Sequence, residues 1–159
     1  MPTLPADWLT IFSAGASHRL GSCSADGTPG ICRALAADVW PDGRVLVLTA
    51  RRAGPDVIDA IAATGQVALV LAVPGLNRTL HLKGRDAQVL RSEPEDQALL
   101  QQRLDAFAQR LLPFGFSAEA LSANWYRVAE EGLVRIVFSI SGAWNQTPGP
   151  GAGQAVDLL

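Results

Sequence analysis

The hydrophobic pattern changes period several times along the chain. PADWLTIFSAG reads as a short helix ending at Gly15. Strand patterns follow. SHRLGSCSA and GICRALAADVW are joined by the turn residues Asp26, Gly27 and Pro29, and PDG at positions 41–43 turns the chain into RVLVLTA. These three segments predict an antiparallel meander. Pro55 suits the first position of a helix in which Val57, Ile58, Ile61 and Ala62 form an apolar stripe and Gly65 is the stop. QVALVLAV is apolar at every position after Gln66, which predicts a strand buried on both faces. After the loop PGLN, RTLHLKGRDAQVL alternates in part.

The second half begins with a helix, SEPEDQALLQQRLDAFAQRLL. Ser92 and Glu95 have the spacing of a capping box, Pro94 lies in the first turn, and Leu100, Leu104, Phe107 and Leu111 share one face. A further helix is predicted from about Ser117 to Glu130, carrying Leu121, Trp125 and Val128, with Gly132 as its C-terminal cap. LVRIVFSISGAW is the last strand. The prolines and glycines of NQTPGPGAG favour an extended or loose tail.

Six mostly antiparallel strands with helices between them predict an α+β chain, mainly β. Small antiparallel sheets remove their edges by closing, so the expected architecture is a six-stranded split β-barrel with peripheral helices. Residues 1–147 form one domain and residues 148–159 a Pro/Gly-rich tail. One face of VALVLAV fills the barrel; the other needs a helix or a second subunit.

Composition narrows the function. The chain has 159 residues, 48% hydrophobic and 18% charged, with a formal charge of −2. Such a chain buries a real core, and its balance argues against nucleic acid as the main partner. No apolar run reaches the ~20 residues of a membrane span, and the N-terminus lacks a basic leader, so a cytoplasmic protein is expected. With two histidines and no C-x-x-C, no zinc site is expected. Cys23 and Cys32 face each other if the hairpin is symmetric about Gly27 and Thr28; otherwise they are two reduced core residues.

Candidate chemistry gathers at polar residues that interrupt strands. Arg51 and Arg52 stand between RVLVLTA and the helix at Pro55, where guanidinium groups and a helix N-terminus together suit a phosphate; the alternative is two solvated loop arginines. His18 reads as an acid–base group or as a hydrogen-bonded or exposed strand histidine. His81 alternates with Leu80 and Leu82, which sends it to polar surroundings. Lys83 and Arg85 flank Gly84 as strand-face charges. Trp144, before Asn145 and Gln146, either stacks on a ring or anchors the tail. No G-x-S-x-G is present to place a nucleophilic serine.

The order of these segments, with DGTPGICRAL, RTLHLKGR and QTPGPGAG as its most specific parts, resembles the FMN-binding split-barrel family typified by pyridoxamine 5′-phosphate oxidase. The resemblance covers roughly residues 6–89 and, more weakly, VRIVFSISGAWNQTPGPGAG. It implies a homodimer that holds FMN in two clefts at the subunit interface and acts as an FMN-dependent oxidoreductase on a small molecule. It implies phosphate contacts from Arg33, Arg51 and Arg52, and a flavin ring along the backbone at Ala34, Leu35, Thr49 and Ala50. Thr79, His81, Lys83 and Trp144 are implied near the ring. Two departures stand out. Asp38 occupies the place of an oxidase lysine, and Thr79 that of a flavin-contacting glutamine. The chain also lacks the basic R-L-H substrate segment, so oxidation of pyridoxamine phosphate itself is not expected. The alternatives are the same fold holding a deazaflavin or haem, and a cofactor-free dimeric binding or regulatory module.

Overall fold

The first hairpin turns on Asp26. Its carboxylate accepts hydrogen bonds from the Ser24 hydroxyl and the Thr28 N–H, and Gly27 takes the left-handed φ of 90° that the turn requires. The computed structural model describes residues 2–121, 123 and 132–159. In it the turn joins β1 (Ser17–Cys23) to β2 (Pro29–Ala34), with Cys23 opposite Pro29 and Leu20 opposite Cys32. The hairpin is therefore centred on Asp26, not between Gly27 and Thr28. The cysteines are offset by three positions, roughly 10 Å along the strand, too far for a disulfide. Both thiols are free, and Cys32 is buried.

Three of the six predicted strands are bent into two segments each. GICRALAADVW bends at Leu35, whose N–H donates to the Leu48 carbonyl, and continues as β3 (Ala36–Val39). RTLHLKGRDAQVL divides into β6 (Thr79–Gly84) and β7 (Gln88–Arg91). LVRIVFSISGAW divides into β8 (Leu133–Phe138) and β9 (Gly142–Asn145). The last two corners are tied together. The Asp86 carboxylate accepts the Ser139 N–H, the Lys83 carbonyl accepts the Ser141 N–H, and a Cβ at Gly84 would overlap the Phe138 ring. With β4 (Val45–Ala50) and β5 (Val67–Ala72), the segments form two antiparallel sheets, ordered β2-β1-β5-β6-β9 and β3-β4-β8-β7. The expected α+β split barrel is the fold.

The strand buried on both faces is β4, not β5. Val45 and Val47 enter the barrel core, while Leu46, Leu48 and Ala50 pack beneath Leu100, Leu104 and Phe107 of α3 (Asp96–Leu111). In β5, Val67, Leu69 and Leu71 are buried, but Ala68, Val70 and Ala72 are only half-buried because no described helix covers them. The short α1 (Ala6–Leu9), continued by a 3-10 turn at Thr10–Phe12, puts Ile11 and Phe12 into the core. α2 (Pro55–Thr64) ends at Gly65 with φ 68°, as its sequence predicts.

At α3 the capping box does not form. The helix starts at Asp96, and Ser92 supplies no cap. Asp96 accepts the Glu93 N–H at 2.7 Å and takes Nε–H of Arg135 from β8 at 2.8–2.9 Å, with Glu93 on a second Arg135 nitrogen at 2.7 Å. A buried cation on the neighbouring strand outcompetes the local cap. Residues 118–121 and 123 are helical, whereas Trp125 and Val128 of the further predicted helix lie outside the described residues. The tail is not loose. It turns at Gly149 and Gly153, runs back beside β9, and returns Val156 and Leu158 to the core; the Leu159 and Thr3 backbones exchange two hydrogen bonds.

His18 overturns both of its strand readings. Its even position in β1 points it inward, it is buried, and its Nε2 has no hydrogen-bond partner among the described residues. Burial first, and then the Arg103, Arg33 and Arg19 charges, lower its pKa to about 3. A depressed histidine pKa favours the unfolded chain in acid. That chain takes up a proton below its ordinary value near 6.5 while the fold does not, so stability is lost progressively as the pH falls from there toward 3.

Two outcomes are expected. Between pH 7 and pH 5 the parent should lose about 2 kcal/mol at this one group; His18→Leu should remove that slope and be no less stable at pH 7. Urea unfolding at both pH values checks this, and an unchanged slope in the variant would contradict it. Asp96→Ala, which leaves the buried side of the Arg135 guanidinium unpaired and only the exposed Glu93 on it, should cost about 3–5 kcal/mol, a fall in Tm of roughly 10 °C. Glu93→Ala, whose carboxylate is 59% exposed, should cost about 0–1 kcal/mol. Thermal melts of the two variants, side by side, distinguish them.

Candidate functional site

Strand alternation builds the site. Inward residues of the five-stranded sheet fill the barrel, so residues at the opposite phase lie together outside. The strand registers align them into rows. One row runs Arg33, Arg19, Val70, His81, Trp144 across β2, β1, β5, β6 and β9. The next runs Ile31, Gly21, Ala68, Lys83, Gly142. The face is thus basic at one edge, small and apolar in the middle, and aromatic at the other edge.

At the aromatic edge, Trp144 folds back over Gly142, where a Cβ would overlap the indole. Lys83 Nζ lies 5.2 Å from the indole centroid, and His81 meets the same ring at 5.6 Å, tilted by 42°. Burial and, after it, the Lys83 charge lower the His81 pKa, so its imidazole is neutral near pH 7.

At the basic edge, Arg33 stacks on Phe107 of α3 at 5.6 Å and stands directly across from Arg19. Burial, and then Arg19, pull the Arg33 guanidinium below its ordinary value. Both effects disfavour the cation, and a bound anion would relieve them. Arg51 and Arg52 open the short 3-10 turn Arg51–Ala53 that follows β4 and sits beside β2. Arg51 pairs with Asp59 of α2 at 3.4 Å, both exposed, and lines a cavity of about 470 Å³ with Arg91 and Ser92. Asp38 is neutralised by Arg103 of α3, which approaches it at 3.2 Å and also donates to the Ala37 carbonyl.

Between these edges lies an open groove of about 810 Å³. Gly21 and Ala68 keep its floor low, Ile31 and Trp144 flank it, and Lys83, Arg85 and Gln66 line it.

Of the residues expected at a site, the structure brings His81, Lys83 and Trp144 into direct contact and sets Arg33 in the same row. The side chains of Ala34, Leu35, Thr49 and Ala50 are buried. The Thr49 hydroxyl is committed to the Arg33 carbonyl, so these positions offer backbone only. Thr79 fastens the tail: its N–H donates to the Thr147 hydroxyl and its own hydroxyl donates to the Asn77 carbonyl. Sequence reasoning missed Arg19 and Arg103. Arg19 shares the outward phase of β1 and could have been found from it; Arg103 comes from a helix distant in sequence and left no local signal.

No family model matches the chain, and no curated protein matches its sequence. Solved structures do match in shape. HupZ of Group A Streptococcus, in tagged form, aligns with a TM-score of 0.56 at 10% identity over 94% of this chain and 100% of that one. A candidate pyridoxamine 5′-phosphate oxidase from Lactobacillus delbrueckii aligns with a TM-score of 0.52 at 14% identity, covering 89% and 93%. At such identities the likeness concerns architecture, and it agrees with the two bent sheets: this chain has the split-barrel fold of the pyridoxamine 5′-phosphate oxidase-like proteins.

Proposed function

We propose that the protein is a homodimeric FMN-binding oxidoreductase whose cofactor lies against the outer face of the five-stranded sheet. The observation that supports this most is the polarity of the row, with guanidinium at one end and indole and imidazole at the other. Its ends are four strand spacings apart, roughly 19 Å. Now let two copies pack by this face about a two-fold axis parallel to the strands. The row reverses, and the basic edge of each copy meets the aromatic edge of the other, in two equal clefts. Such packing also covers Val70 and Ala72, which no described helix reaches, and leaves Ile31, Gly21 and Ala68 lining the clefts.

In this reading Arg33, with Arg51 and Arg52 nearby, holds the phosphate through charge-assisted bonds, helped by the α2 N-terminus. Trp144 and neutral His81 border the ring. FMN supplies the redox chemistry when bound, and the chain orients it and limits access of water. The fold likeness to a candidate pyridoxamine 5′-phosphate oxidase adds support by analogy.

Light scattering should give twice the 16.8 kDa chain mass at micromolar concentration; a monomer would remove the shared clefts. Purified protein, or protein incubated with FMN, should show a flavin spectrum. In fluorescence titrations FMN should bind roughly a hundredfold tighter than riboflavin, about 2.7 kcal/mol, and Arg51→Ala with Arg52→Ala should erase most of that preference. Arg33→Ala should weaken FMN by about 2–5 kcal/mol and Lys83→Ala by about 0–1 kcal/mol. Equal losses would show that Arg33 is no phosphate ligand, and protein that stays colourless with FMN would favour a cofactor-free module.

A further inference from the structure

The groove beside Trp144 has a chemistry of its own. Its floor, Gly21 and Ala68 on neighbouring strands, presents little but backbone between the Ile31 and Lys83 side chains of the same row, a surface suited to a planar ring. Two cations, Lys83 and Arg85, line it, and no carboxylate does among the described residues. That asymmetry stands out in a chain of net charge −2. Elsewhere among the described residues five carboxylates stand beside arginines, Asp96 and Glu93 on Arg135, Asp38 on Arg103, Asp59 on Arg51 and Asp42 on Arg44, and others are held by neutral donors, as Asp86 is by the Ser139 N–H. Lys83 is held instead against the Trp144 ring, with its ammonium at the edge of the groove.

We propose that this groove binds a small planar anion, its ring lying on the Gly21–Ala68 floor and its acid group reaching Lys83 and Arg85. The binding stands on the groove itself; the role of such a molecule as the oxidoreductase substrate rests on the flavin reading. A neutral ring gains the floor but not the cations, so charge is what the groove selects.

The probes are 2-naphthoate and its neutral counterpart 2-naphthamide, titrated calorimetrically into the purified full chain. Naphthoate should bind saturably and at least about tenfold tighter than the amide, with a preference that shrinks at high salt. The double variant Lys83→Gln, Arg85→Gln, altered only at exposed side chains, should reduce naphthoate to the affinity of the amide and leave the amide unchanged. Equal affinities in the parent, no binding of either probe, or a preference that survives in the double variant would each overturn the proposal. FMN titration of the same preparations separates the two readings. Lost FMN binding with intact naphthoate selectivity removes the cofactor alone, and the converse removes the anion site alone.

Discussion

The inward side chains of β5 are a valine and two leucines, and the outward ones a valine and two alanines. Val67, Leu69 and Leu71 lock the middle of the five-stranded sheet into the barrel, and Ala68, Val70 and Ala72 leave its outer face shallow. A single-residue slip would exchange these sets, placing small residues in the core and exposing two leucines and a valine. The β5 register therefore holds the core and the candidate site together. It also aligns Arg19 and Arg33 on one side with His81 and Trp144 on the other, because each row passes through β5.

The two sheets are treated differently by the helices. α3 lies over β4 and β3 and makes the outer side of the four-stranded sheet a second core, anchored at its start by Asp96 on Arg135 and further along by Arg103 on Asp38. These ion pairs are specific rather than strongly stabilising, since desolvation offsets much of their attraction. No described helix covers the outer face of the five-stranded sheet. What remains there is cationic at Arg19, Arg33 and Lys83, aromatic at Trp144, and flat between.

Much of the fold was legible in local pattern. The strand segments, the helix opened by Pro55 and closed by Gly65, the leucine stripe of α3 and the antiparallel closure all follow from period and turn chemistry. Ser92 and Glu95 have the spacing of a capping box, yet Arg135 on a strand about forty residues later draws Asp96 into the helix start instead. The glycines and prolines of the tail predict a loose segment. Those same residues permit the turn that returns Val156 to β9, a pairing no local signal announces.

The sequence by itself determined which residues alternate and which chemistry they carry: cations at Arg33 and Lys83, an imidazole at His81, an indole at Trp144. Only the tertiary structure decided which of them meet, because register and the bending of strands at Leu35 and at residues 85–87 and 139–141 are set by contacts between distant segments. It made β4 rather than β5 the doubly buried strand, since α3 packs along β4 and meets the five-stranded sheet only at its β2 edge, where Phe107 touches Arg33. It also turned His18 into the core and away from any acid–base role: parity fixed its side of the strand, and closure of the barrel removed that side from water.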